Sequence, residues 1–245
     1  FIMASTSEVG HAKNVANFQD LIEFVIGYGA TYNPSKNSLK LPQLIALKAS
    51  ADATLADKKT KNTNYNNKVN ERITAFSGLK SLSTRLVNAL QTTDATTETI
   101  GNAKTFNRKM QGKKASSSQT PTDPNTPAPN TISTSQQSYD QLIQHLAGLT
   151  SILEAETSYT PNETDLQVAT LQTKIADLTA KNTAVATAYA SISNSRIARN
   201  ETLYSSSTGL VETANEVKKY IKSVFGASSP QFAQVKGIQF KIIKN

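Results

Sequence analysis

Apolar residues return along this chain at helical steps. Leu171, Ile175, Leu178, Asn182, Val185, Tyr189, Ile192, Arg196, Arg199 and Leu203 alternate steps of four and three, the pattern of a coiled-coil seam. A second stripe runs through Leu44, Lys48, Ala51, Leu55, Lys58, Asn62, Tyr65, Val69, Arg72 and Phe76. It is poorer in apolar residues, and the stretch Lys58–Lys68 is polar around most of its circumference. These stripes predict long helices near 39–76 and 163–204, each about 57–63 Å long at the α-helical rise. Serines with Gly78 and Gly209 then predict a break after each rod. Beyond the breaks Leu79, Leu82, Leu86 and Leu90 form one returning stripe, and Leu210, Ala214, Val217, Ile221 and Val224 form the other. Ile100, Phe106 and Met110 mark a further helix opening near Asp94.

The turn that precedes each rod is nearly the same. "YNPSKNSL" at Tyr32–Leu39 has a twin, "YTPNETDL", at Tyr159–Leu166. Proline bars any earlier helix from continuing, and Ser35, Ser38, Asn162 and Asp165 are candidates to cap the helix that follows. The same offset pairs Leu44 with Leu171, Ala49 with Ala176, Ala53 with Ala180, Asn67 with Asn194 and Arg72 with Arg199. Upstream, "FQDLIEFVIG" (Phe18–Gly27) resembles "YDQLIQHLAG" (Tyr139–Gly148) at a slightly different offset. The colinear order of these matches reads as an internal duplication.

Between the copies Pro121, Pro124, Pro127 and Pro129 lie among Ser and Thr, a composition that forbids helix and favours an extended linker. The expected organisation is therefore a first helical repeat over 1–112, a Pro/Ser/Thr-rich linker over 113–137, a second repeat over 138–226, and a short helical turn with an extended tail over 227–245. Gly226 is placed to end a helix and Ser229-Pro230 to begin another turn. Ile238, Phe240 and Ile242 alternate with polar residues, a strand-like pattern. A lone strand cannot satisfy its own backbone, so the tail is expected either to strap along its own bundle or to pair with another chain.

Composition narrows the class to all-α. Ten Gly, no Trp, 38% hydrophobic and 7% aromatic residues suit a thin elongated bundle better than a globular α/β enzyme. The absence of cysteine excludes disulfides, thiolate catalysis and Cys-ligated metals and fits the cytoplasm. No apolar run approaches the length of a membrane span. No secretory signal is visible after Phe1-Ile2-Met3, which favours the cytoplasm slightly; an extracellular location would follow from processing of the N-terminus. The duplicated Tyr-x-Pro helical units and the ending "VKKYIKSVFGASSPQFAQVKGIQF" resemble an uncharacterised group of bacterial helical-bundle proteins. That resemblance implies a fold and brings no activity, cofactor or site residue.

Candidate chemistry is sparse. His11 and His145 are the only histidines and stand apart from other metal-binding side chains; a helix boundary or the surface is the expected place for His145. Glu154 and Glu156 are spaced to diverge on a helix. Nucleophile elbows, phosphate-binding glycine loops and zinc motifs are missing. Arg72, Arg196 and Arg199 at seam positions call for carboxylate or carbonyl partners and are expected to hold register. The formal charge of +8 gathers in Lys58–Lys61, in Lys104–Lys114 and in the final thirty residues. The expectation is a non-enzymatic structural or interaction protein without cofactor or metal, self-associating through its rods and tail, with Ile238, Phe240 and Ile242 at the contact. The alternative is a basic bundle binding a polyanion such as nucleic acid, acidic polysaccharide or a membrane surface through Lys104, Arg108, Lys109, Lys113 and Lys114.

Overall fold

A computed structural model describes residues 6–112 and 137–243. The linker expected over 113–137 thus lies outside the described residues, apart from Gln137. Eight α-helices follow in order: α1 Thr6–Gly27, α2 Leu41–Phe76, α3 Leu79–Leu90, α4 Thr97–Gln111, α5 Tyr139–Ala155, α6 Val168–Tyr204, α7 Leu210–Phe225 and α8 Pro230–Lys236. No strand occurs among the described residues, and the all-α helical class holds. The two rods, α2 with 36 residues and α6 with 37, are each about 55 Å long.

The twin turns are alike in structure as well as in letters. Each makes a single 3₁₀ turn, Asn37–Leu39 and Thr164–Leu166, just before its rod. The Tyr32 hydroxyl donates to the Leu39 carbonyl at 2.8 Å, and the Tyr159 hydroxyl donates to the Leu166 carbonyl at 2.9 Å. Neither 3₁₀ turn has a side-chain cap of its own; a buried tyrosine ties each turn from inside. Asp165, a candidate cap, instead pairs with Arg85.

Burial raises the Tyr159 phenol to about 12, helped by Glu163 and Asp165. Burial likewise pushes Tyr32 well above the usual tyrosine range, with Tyr220 adding to it. A raised folded-state value means stability is fully present below the unfolded tyrosine value near 10 and is lost as pH rises through the folded value. The urea midpoint is therefore expected to fall as pH climbs from about 10 to 12. Tyr159→Phe should flatten that fall while costing about 1 kcal/mol at neutral pH, because the Leu166 carbonyl loses its donor. An alkaline limb unchanged in Tyr159→Phe would contradict this assignment.

In space the chain divides into two compact units, Phe1–Tyr65 with Ala188–Asn245, and Asn66–Thr187. They are not the stretches 1–112 and 138–226 taken whole. Each unit combines a Tyr-turn and its preceding helix from one stretch with a returning helix from the other.

In the first unit, α1, the start of α2, the end of α6, α7 and α8 enclose Phe18, Leu21, Leu44, Leu203, Leu210, Val217 and Val235, all but excluded from solvent. Each such side chain contributes about 1.5–3 kcal/mol on burial. Tyr32 meets Tyr220 edge-on at 5.2 Å between ring centres, and Lys36 reaches Glu216 at 2.6 Å. Both contacts join the first turn to α7. Tyr65 on α2 packs against Tyr189 on α6 at 5.9 Å.

In the second unit, the end of α2, α3, α4, α5 and the start of α6 enclose Leu79, Leu86, Leu90, Met110, Leu146, Leu149, Leu153, Leu171 and Leu178. Arg72 of α2 donates to Asn182 of α6 at 3.0 Å, while Phe76, one turn further on, shares a cluster with Leu178, one turn back. The rods are therefore antiparallel in this unit. α4 opens near Asp94 as expected, capped by Thr96, which accepts from the Thr99 amide, and Ser138 caps α5 in the same way.

Gly78 and Gly209 both precede a returning helix, for different reasons. Gly78 has φ +79°, a left-handed conformation that strains other residues. Gly209 has φ −68°, but a β-carbon there would lie 2.5 Å from the Ser205 amide nitrogen. The first break needs a conformation and the second needs space.

Candidate functional site

The C-terminal tail packs on its own chain. After α8, Ile238 and Phe240 are half-buried against the first unit's core, and Phe240 meets Phe18 edge-on at 6.5 Å. Asn14 of α1 supplies what a partner strand would: its amide donates to the Lys241 carbonyl at 2.7 Å and its carbonyl accepts from the Lys241 amide at 3.0 Å. Asn17 donates to the Gln239 carbonyl at 2.6 Å. One asparagine presents both a donor and an acceptor, which is why a single strap needs no sheet. Of the three tail residues expected at an assembly contact, Ile242 alone is largely exposed, at 64%.

The seam arginines divide. Arg199 is buried at 1% exposure, donating to Glu8 at 2.8 Å and to Asn200 at 2.8 Å. Lys58 reaches the same Glu8 oxygen at 2.9 Å. Burial alone would raise the Glu8 carboxyl, but Lys58 and Arg199 outweigh it and hold it below the usual carboxylate range. Arg72, besides bonding Asn182, stacks over the Tyr139 ring at 4.0 Å. Each of these arginines thus closes on the first turns of a helix, α1 or α5. Arg196 is exposed, contrary to its place in the sequence seam.

The basic side chains expected to form a patch are partly scattered. Lys104 and Arg108 are exposed on α4, and Lys109 is half-buried, with its ammonium 5.5 Å from the Phe106 ring centre. Lys113 and Lys114 lie outside the described residues. A more concentrated basic feature forms between α7 and α8, where Lys218, Lys219, Lys222 and Lys236 lie around Phe232 with Glu212 and Asn215. These lysines belong to the C-terminal excess of charge, but their convergence depends on how α8 folds back, which periodicity does not encode.

The histidines are buried, not peripheral. His11 faces the core with Nδ1 2.6 Å from the Tyr204 hydroxyl, and His145 lies mid-helix on the buried face of α5 beside Phe106. Glu154 accepts from Gln172, whereas Glu156 accepts from the Ser158 amide and hydroxyl, bonds that hold its carboxyl below the usual range. Glu154 thus links α5 to α6, and Glu156 serves the turn between them. Among the described residues no group of three or more His, Asp or Glu is placed to hold a metal, and no helix is long and apolar enough to cross a membrane. Comparison with family models, with curated proteins and with solved structures finds no match to this chain.

Proposed function

We propose that the protein is a non-enzymatic structural or interaction protein, a helical frame that holds surfaces in fixed positions. The observation that carries this reading is how the chain uses its buried and half-buried polar side chains. Arg199, Glu8 and Lys58 join α6, α1 and α2. Asn14 joins α1 to the tail, and the Tyr28 hydroxyl joins the end of α1 to the Gln231 carbonyl at 2.9 Å. Each bond links elements distant in sequence and fixes one element against another.

Self-association remains the form of interaction this reading favours, with the long helices rather than the tail providing the contact. Ile73 is 53% exposed on α2, and Tyr189 and Ile197 are 56% and 63% exposed on α6. Sedimentation velocity from micromolar to millimolar concentration tests it. A mass that rises with concentration in the parent chain, and stays monomeric in Ile73→Glu or Ile197→Glu, is the expected result. A strictly monomeric parent chain at the highest concentration would exclude self-association.

A further inference from the structure

Four lysines gather at the recess between α7 and α8. Asn215, Lys218, Lys219 and Lys222 lie at helical spacing along one side of α7. Lys236 adds a fourth ammonium from the last turn of α8, where a cation suits the helix dipole. Lys218 and Lys222 are one turn apart, an arrangement in which like charges weaken a helix. Among the described residues no carboxylate pairs with Lys218, Lys219, Lys222 or Lys236 within salt-bridge distance. Nearby Glu216 is already engaged by Lys36.

The recess is also shaped. It is a depression of about 400 Å³, open to solvent on one side, with Glu212 as a carboxylate in its lining, and its volume is within the range of small-ligand sites. The half-buried Phe232 forms its apolar wall, and the Lys222 ammonium stands 5.8 Å from the centre of that ring. Lys218 is held in place: its ammonium donates to the Lys236 carbonyl at 3.1 Å and the Ile238 carbonyl at 2.8 Å. An ammonium has three donors, so one remains for a ligand.

We propose that this recess binds a compact phosphate-bearing anion, with Lys219, Lys222 and Lys236 contacting phosphate oxygens and the anchored Lys218 completing the cradle. Ammonium groups act on phosphate as point charges, and four converging from two helices favour a multivalent, compact anion over a single carboxylate. Burial already holds Lys218 below the usual lysine range; an adjacent anion opposes that effect and raises it. This site is independent of whether the frame self-associates.

Two forms of the same chemistry serve as probes: inorganic tripolyphosphate by calorimetry, and phosphatidylcholine vesicles with and without an added phosphoinositide by flotation. Binding of tripolyphosphate at physiological salt, weakened about tenfold or more in Lys219→Gln/Lys222→Gln and unchanged in Lys104→Gln/Arg108→Gln, supports the site with a free phosphate ligand. Binding confined to the phosphoinositide vesicles, with the same dependence on the variants, supports it with a lipid headgroup as the source. The two double variants remove equal charge from exposed positions, and matched circular dichroism melts verify that both fold. In ¹³C-labelled lysine spectra the Lys218 titration should move to higher pH on binding. Equal weakening in both variants, or no binding to either probe, overturns the proposal.

Discussion

Arg199→Ala is expected to lower the unfolding free energy by about 3 kcal/mol, whereas Arg196→Ala stays within about 0.5 kcal/mol. The two arginines stand three residues apart on α6 and occupy consecutive places in the sequence stripe. Only Arg199 is buried, and only it joins Glu8 of α1. Its removal leaves a void and takes from Glu8 a cationic partner. The effect has a pH signature. Glu8 has a lowered folded-state value, so its stabilisation is present above the unfolded carboxylate value and is lost as pH falls through the folded one. The acid limb of stability should be shallower in Arg199→Ala than in the parent chain. Chemical denaturation of both variants at neutral and acid pH measures this; equal costs at the two positions would contradict the assignment.

The second large effect is expected at Asn14. Asn14→Ala should cost about 2–3 kcal/mol, since it strips partners from both backbone groups of Lys241 and from the Tyr204 hydroxyl at once. Asn17, which makes one bond at an exposed position, should cost less than 1 kcal/mol on the same change. The loss at Asn14 should also free the tail, seen as faster limited proteolysis after Lys236 or Lys241 with the helical core intact. A tail equally resistant in both chains would show that the strap is held without Asn14, by contacts such as those of Ile238 and Phe240.

Helices, breaks and the paired turns were legible because each rests on local chemistry. Heptad spacing, proline after tyrosine and glycine after serine act within a few residues. The α2 stripe holds from Leu44 to Phe76, every member being at least half-buried. The α6 stripe holds only along one line: Leu171, Leu178, Val185, Ile192 and Arg199 are buried, but Tyr189 and Arg196 are exposed, and Ala188 and Ser195 are buried in their stead. An α-helix drifts against a strict heptad repeat, and this one changes its buried flank near residue 187, where its membership passes from the second unit to the first.

The helices before the two turns show the same limit. Phe18–Gly27 matches Tyr139–Gly148 in letters, yet Gly27 ends α1 while Gly148 lies inside α5. Matching what is buried instead sets Phe18, Leu21, Ile22 and Val25 against Leu146, Leu149, Thr150 and Leu153. The two alignments differ by one heptad, a shift that preserves the apolar face and so escapes a reading of periodicity. Which helix partners which was equally hidden, because an apolar stripe specifies a face and not its neighbour. The lysine recess and the Asn14 strap depend on those partnerships, and neither could be placed before them.

Each compact unit joins a turn from one stretch of sequence to a returning helix from the other, and Lys36 and Glu216, which meet in the first unit, report on that pairing. The chain has no cysteine of its own, so Lys36→Cys/Glu216→Cys is open to site-specific linkage by a short bismaleimide, read by mass spectrometry after dilution to the monomer. Rapid, near-complete linkage within one chain is expected, joining the peptide that carries position 36 to the peptide that carries position 216. Two stretches folded as separate modules would leave these cysteines unlinked or joined only between molecules, and that result would contradict the pairing.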